Sequence, residues 1–171
     1  MKKILLIFII LSLSATTLFA EIPHFLDFKL ILNESIAGKK AQNFLKNKLE
    51  KGAANLKEKE KNILEEEKKI IQQKKVISND EYKKKLTELR NKVSTLRTTR
   101  NKLLESVAKE RAEAKKTLLK NLNPILKEYM KEKKIRMVID KKNVLLADEN
   151  LDITKNILEI LNKKLKNIPL K

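Results

Sequence analysis

Cysteine and tryptophan are absent from the 171-residue chain, histidine occurs once and glycine only twice. Each shortage excludes a class of chemistry. Without cysteine there is no disulfide frame, no thiolate-ligated zinc or cluster and no thiol nucleophile. Gly38 and Gly52 are too few and too far apart for a phosphate-cradling loop or a dinucleotide fingerprint. A single imidazole, His24, leaves no His-based metal trio and argues against a His-assisted triad. Aromatic residues make up 4% of the chain and charged residues 36%, the composition of long helices rather than of a compact enzyme core. Asp140, Asp148 and Asp152 lie in one region, but turn chemistry and helix capping explain them. The chain therefore reads as a non-enzyme, with no catalytic, cofactor or metal site expected, and His24 beside Pro23 reads as a strand residue.

What the chain has in excess is positive charge: 40 Lys and Arg against 22 Asp and Glu, a net of +18. Such a surplus asks for a polyanionic partner, whether nucleic acid, an acidic membrane surface or acidic polypeptide. The N-terminus narrows the choice. Residues 1–20, MKKILLIFIILSLSATTLFA, combine a basic start at Lys2 and Lys3 with an apolar stretch from Ile4 to Leu13 and a small polar run ending at Ala20. This is the layout of a secretory signal peptide cut after Ala20. Its strongly apolar core of about 10 residues falls short of the roughly 20 that span a bilayer, and no cysteine follows for lipidation. Loss of Lys2 and Lys3 leaves +16 on the mature chain. An exported protein does not normally meet chromosomal DNA, and no aromatic platform or recognition-helix pattern interleaves the lysines. No nucleic-acid partner is expected. A basic nucleic-acid-binding protein stays an alternative, as does a secreted structural or adhesive coiled coil.

The middle of the chain is patterned for long helices. Leu49, Leu56, Ile63, Ile70 and Ile77 fall seven apart, while the row four residues on (Ala53, Glu60, Glu67, Lys74) is mostly polar. Beyond it, Tyr82, Leu86, Leu89, Val93, Leu96, Arg100, Leu103 and Val107 alternate spacings of four and three, a full heptad seam with Arg100 intruding. Between the rows, Ser78 and Glu81 have the spacing of a capping box, which predicts a new helix and a fold-back near 78–81, the alternative being one uninterrupted helix in a parallel coiled coil. Antiparallel pairing then sets Ile77 by Tyr82, Ile70 by Leu89, Ile63 by Leu96 and Leu56 by Leu103, with Glu60 opposite Arg100 one register away. The arm is taken as residues 38–122. Around its tip, residues 68–104 carry 12 basic and 3 acidic residues, a net of +9. Lys83, Lys84, Lys85, Arg90, Lys92, Arg97 and Arg100 are the candidate contacts for an anionic client or membrane.

The two ends are expected to meet in a small β-containing oligomerisation body, residues 21–37 with 123–171. Ile22 to Asp27 reads as a strand and Phe28 to Ser35 as a short helical turn. Pro124 is expected to kink or restart the helix. Ile135 to Asp140 and Asn143 to Ala147, joined at Lys141-Lys142, read as a β-hairpin. Asp152 is expected to cap a last amphipathic helix. Three short strands make a thin core whose exposed edges another copy would close. The fold class is mostly α, a long coiled-coil hairpin on a small β body.

Two patches resemble a known family. Phe28-Lys29-Leu30-Ile31-Leu32-Asn33-Glu34-Ser35-Ile36-Ala37-Gly38-Lys39-Lys40-Ala41 is similar to the strand, short helix and Gly-Lys arm start of the Skp (OmpH-like) periplasmic chaperones. Ile135-Arg136-Met137-Val138-Ile139-Asp140 with Leu151-Asp152-Ile153-Thr154 is similar to that family's closing strands and Asp-x-Thr helix start. Pro23 departs from the pattern, because it cannot donate to a sheet ladder. The resemblance implies a periplasmic homotrimer. Its strands form a barrel-like body, and its helical tentacles enclose unfolded outer-membrane β-barrel clients without ATP. The tip charge adds an anionic lipid or lipopolysaccharide surface as a second partner. No local motif places the family's lipopolysaccharide-binding residues here.

Overall fold

The computed structural model describes residues 22–170, so the expected signal peptide lies outside the described residues. In chain order the elements are β1 (His24–Leu26), α1 (Phe28–Glu34), α2 (Ile36–Gln73), α3 (Asn79–Lys133), β2 (Val138–Asp140), two 3-10 turns (Lys141–Asn143 and Glu149–Leu151) and α4 (Thr154–Lys164). Helices α2 and α3 form the hairpin expected from the heptads. At 1.5 Å per residue the 38 residues of α2 reach about 57 Å.

The fold-back is set locally. The Ser78 side chain accepts from the Glu81 backbone N–H at 3.2 Å and starts α3. The reciprocal half of a capping box is not what the Glu81 carboxylate does; it faces Lys85 at 3.5 Å instead. Within the hairpin, Leu56, Ile70 and Leu89 are buried, and Arg100 meets Glu60 at 3.6 Å as the register demands. Lys92 adds a second tie to Glu66, with its Nζ 2.6 Å and 2.7 Å from the two carboxylate oxygens. Val93 departs from expectation. It occupies a heptad position yet is 48% exposed, because α2 offers the polar row around Glu66 opposite it.

Apolar packing concentrates where the hairpin meets the ends of the chain. Ile31 of α1, Leu118 and Leu122 of α3, and Ile157 and Leu161 of α4 are fully buried in one cluster with Ala37, Ala41, Ile125 and Ile168. Pro124 lies inside α3, and the helix runs past it without restarting. Its neighbours Leu122 and Ile125 are seated in the core and hold the backbone through the missing hydrogen bond.

The corner between α1 and α2 is a single residue. Ser35 ends α1 with its N–H on the Ile31 carbonyl, and begins α2 by accepting the Gly38 N–H at 3.1 Å. Next along, the Ile36 N–H donates to Asn162 Oδ1 of α4 at 2.8 Å. A Cβ on Gly38 would stand 2.0 Å from the Leu32 carbonyl oxygen, so only glycine fits.

The sheet differs from the expected hairpin. Strand β1 pairs in parallel with β2, His24 opposite Val138 and Leu26 opposite Asp140, and its other side bridges Asp152 through Phe25. The chain after β2 turns away rather than back. Asp140 accepts the Lys142 N–H at 3.2 Å and the Val144 N–H closes onto the Lys141 carbonyl at 3.0 Å, a tight 3-10 turn. Val144 to Ala147 is therefore not a strand. Strand β1 begins only after Pro23, which leaves the proline outside the ladder.

Asp152 caps from one residue further out than expected. Helix α4 starts at Thr154, and the Asp152 carboxylate accepts both the Thr154 N–H (2.9 Å) and its hydroxyl, while Thr154 Oγ1 accepts the Asp27 N–H at 2.8 Å. Lys141 Nζ lies 2.8 Å from the same carboxylate and 5.5 Å from the Phe25 ring centre. Burial works against the charged form of Asp152, but the Lys141 and Thr154 hydrogen bonds outweigh it and hold the carboxyl below its usual 3.8.

Two predictions test these constraints. Gly38→Ala forces backbone apart and should cost about 2 kcal/mol or more in denaturant unfolding. Gly52→Ala meets only the flexible end of Leu103 and gains helix propensity, so it should stay within about 1 kcal/mol of the parent. Asp152 should stabilise fully above the unfolded carboxyl's pKa and lose that contribution as pH falls through its depressed folded value. Acid unfolding of Asp152→Asn followed by circular dichroism should show that part of the pH dependence removed.

Candidate functional site

The tip turn, Lys74 to Ser78, is braced by its own cations. Lys85 Nζ lies 2.8 Å from Gln73 Oε1, across the turn, and Lys74 Nζ sits 5.8 Å from the Tyr82 ring centre. Between these braces Val76 is 84% exposed at the apex.

The seven candidate cations divide into two groups. Lys92 and Arg100 are tied across the hairpin to Glu66 and Glu60, while Lys85 pairs with Glu81 on its own helix and crosses to Gln73, so these three act first as braces of the hairpin. Lys83, Lys84, Arg90 and Arg97 are exposed on α3 and have no ion pair among the described residues. Lys83, Arg90 and Arg97 recur every seven residues, so they line one stripe that drifts only about 20° per heptad. Continuing the period gives Leu104, which is exposed, and Arg111 near the shoulder. This stripe was readable as a cationic heptad row, had the period been followed in the charges as well as in the apolar residues.

Aliphatic side chains share the arm surface with these charges. Leu64 and Ile71 on α2, and Val93 and Leu104 on α3, are each about half exposed. Between the arms, Ile63 and Leu96 share a shallow groove with Asn62, Asn91, Thr95 and Thr99, so polar groups enter the seam midway along. Thr87, Thr95 and Thr99 each turn their hydroxyl onto the carbonyl four residues back, a habit that loosens and bends helices. Among the described residues there is no carboxylate or imidazole cluster fit for a metal, and no helix long and apolar enough to cross a membrane.

On the body, Leu145 and Leu146 are fully exposed and Met137 is more than half exposed. Met137 lines a concave face of about 570 Å³ that runs over Leu26, Phe28, Leu119, Leu126 and Met130. Leu145 and Leu146 lie in a bend after the 3-10 turn and stand clear of the rest of the chain.

Comparison with known proteins places this architecture. A family model described as outer membrane protein (OmpH-like) matches residues 24–161. The crystal structure of a candidate outer membrane chaperone (OmpH-like) from Caulobacter crescentus CB15 superposes with a TM-score of 0.80 at 19% identity, covering 88% of this chain and 90% of that one. At that identity the likeness is one of fold. No curated protein sequence matches the chain.

Proposed function

The chain belongs to the OmpH-like family of outer membrane proteins, and from that premise we propose that it is a periplasmic, ATP-independent holdase for unfolded outer-membrane proteins. Membership supports a chaperone role and agrees with a protein that is not an enzyme. The observation that carries the finer reading is the arm surface, where unpaired cations and half-exposed aliphatics alternate along a pliant hairpin. Contacts of both kinds are individually weak and become effective when many act at once. A holdase needs that combination, since it must grip many sequences and release them without nucleotide hydrolysis. The cationic stripe draws acidic clients over a distance that shrinks with salt.

The homotrimer that the family resemblance implies would be built on the body in this reading. Leu145 and Leu146 stand exposed on a bend without a partner, and the exposed Met137 lines the apolar concavity over Phe28 and Leu126. A second copy that added this segment to its own short sheet would cover both, and a closed ring would leave no edge free. Three arms would then project from one body and enclose a client. The four unpaired tip cations would meet an anionic lipid or lipopolysaccharide surface where the arms end.

Sedimentation of the purified mature chain should read three chains, and Leu145→Asp with Leu146→Asp should shift it to a monomer that keeps its helical circular dichroism. A monomeric parent would refute the trimer. Diluting a urea-unfolded outer-membrane β-barrel into the protein should leave it soluble at one oligomer per client, with protection weakening as salt shortens the Debye length to about 3 Å near 1 M. Undiminished light scattering at low salt would defeat the holdase reading. In the same assay format with anionic vesicles, Gln at Lys83, Lys84, Arg90 and Arg97 should abolish most binding. Gln at Lys85, Lys92 and Arg100 should chiefly speed hydrogen exchange in the arm.

A further inference from the structure

At the root of the arm a half-enclosed groove of about 600 Å³ opens between α1, both arm helices and the C-terminal tail. Its floor is aliphatic: Leu45 and Leu118 are buried, and Val107 and Leu49 continue it outward. Its rim is cationic, formed by Lys46, Arg111 and Lys115, and no acidic residue is among those lining it. The nearest compensation is weak. Glu50 stands 3.9 Å from Lys46 across two exposed side chains, and Arg111 and Lys115 have no ion pair among the described residues. Lys115 is instead steadied against the Phe28 ring, 6.0 Å from its centre.

We propose that this groove binds single-chain anionic amphiphiles, molecules with one alkyl chain and a carboxylate or phosphate head. The chain lies along Leu45, Leu49, Val107 and Leu118, and the head meets Arg111 and Lys115. The volume falls within the range of sites that bury most of a small ligand. Arg111 presents paired N–H donors that suit either head group, and removing the alkyl chain from water supplies the remaining affinity. The tail is a wall rather than the occupant, because Ile168 is already seated with 4% exposure and Leu170 packs against the same core. A concavity of this kind selects one chain, whereas an intact bilayer presents a plane that does not enter it. The site is independent of client capture, so its failure and that of the holdase reading are seen in different assays.

The test is calorimetric titration of the full oligomer with laurate below its micelle concentration. Saturable binding at one laurate per chain is expected. Arg111→Gln with Lys115→Gln should weaken it about tenfold or more, the loss expected for one charge-assisted hydrogen bond, while the unliganded melting curve stays unchanged. Leu49→Gln, on the exposed outer floor, should weaken it with every charge intact. Gln at Lys83, Lys84, Arg90 and Arg97 should leave it unaltered. A parallel titration with monoacyl phosphatidylglycerol distinguishes the two head groups, and tighter binding of either names the source. Dodecanol binding as well as laurate, laurate uptake without saturation, or affinity indifferent to the Arg111 and Lys115 changes would overturn the proposal.

Discussion

Everything in this molecule hangs from the contact between the Gly38 backbone and the Leu32 carbonyl. A helix that must leave another after one residue has no slack, and Ser35 serves as the end of α1 and the beginning of α2 together. Fully buried, it spends its N–H on one helix and its hydroxyl on the other. The missing side chain at Gly38 lets the first turn of α2 press against α1, and Asn162 of α4 fastens the same turn from outside. The angle of the arm is thus decided at its root. Over a lever of about 57 Å, an error of 10° there would move the tip by about 10 Å.

The same geometry divides rigidity from pliancy. Near the corner, side chains from α1, α3 and α4 bury one another completely, and local opening there means opening the core. Along the arm outside the root cluster, Leu45, Leu56, Ile70, Leu89 and Val107 are the large buried side chains among the described residues, and the seam is completed by ion pairs across half-wet surfaces. Exposed pairs of that kind contribute about 0–1 kcal/mol each. Lys48 with Glu110 is better shielded and stands nearest the root. Cohesion therefore falls from root to tip: the root is seated in the core, and the tip is held by little beyond ion pairs and a few buried side chains.

How much of this was legible depends on how local the cause is. The Ser78 cap, the heptad rows and the Glu60–Arg100 pair were readable, because each is set by spacing along one helix or by a register that four apolar matches define. The β pairing was not. Strands of three residues, His24–Leu26 and Val138–Asp140, carry almost no periodicity, and their partner lies more than a hundred residues away. The apolar run Val144 to Ala147 looked like the second half of a hairpin for a sound reason. It has the composition of a strand, but Asp140 diverts the chain into a 3-10 turn and β1 already has Asp152 on its other side. Val93 was misplaced because a heptad specifies one helix's face and says nothing of what the opposing helix offers. Of the seven candidate cations, spacing alone could not separate three that brace the hairpin from four that face water.

That separation changes what the net charge means. A basic protein in which every lysine is free repels itself along its length, and a long thin arm has little apolar cohesion to set against that. Here Glu60 and Glu66 each tie one cation of α3 across to α2, and Glu81 neutralises Lys85 within α3, so the hairpin closes. The cations left over are not scattered. Lys83, Arg90 and Arg97 keep the period of the helix and lead by way of Leu104 to Arg111 at the shoulder. In the proposed holdase, a charge surplus arranged as a stripe would offer a flexible acidic chain a row of contacts it could exchange one at a time while holding the others. Exposed aliphatics beside the track supply grip that salt does not screen. On that proposal, broad and reversible binding would need no moving part beyond the bending the loose seam permits.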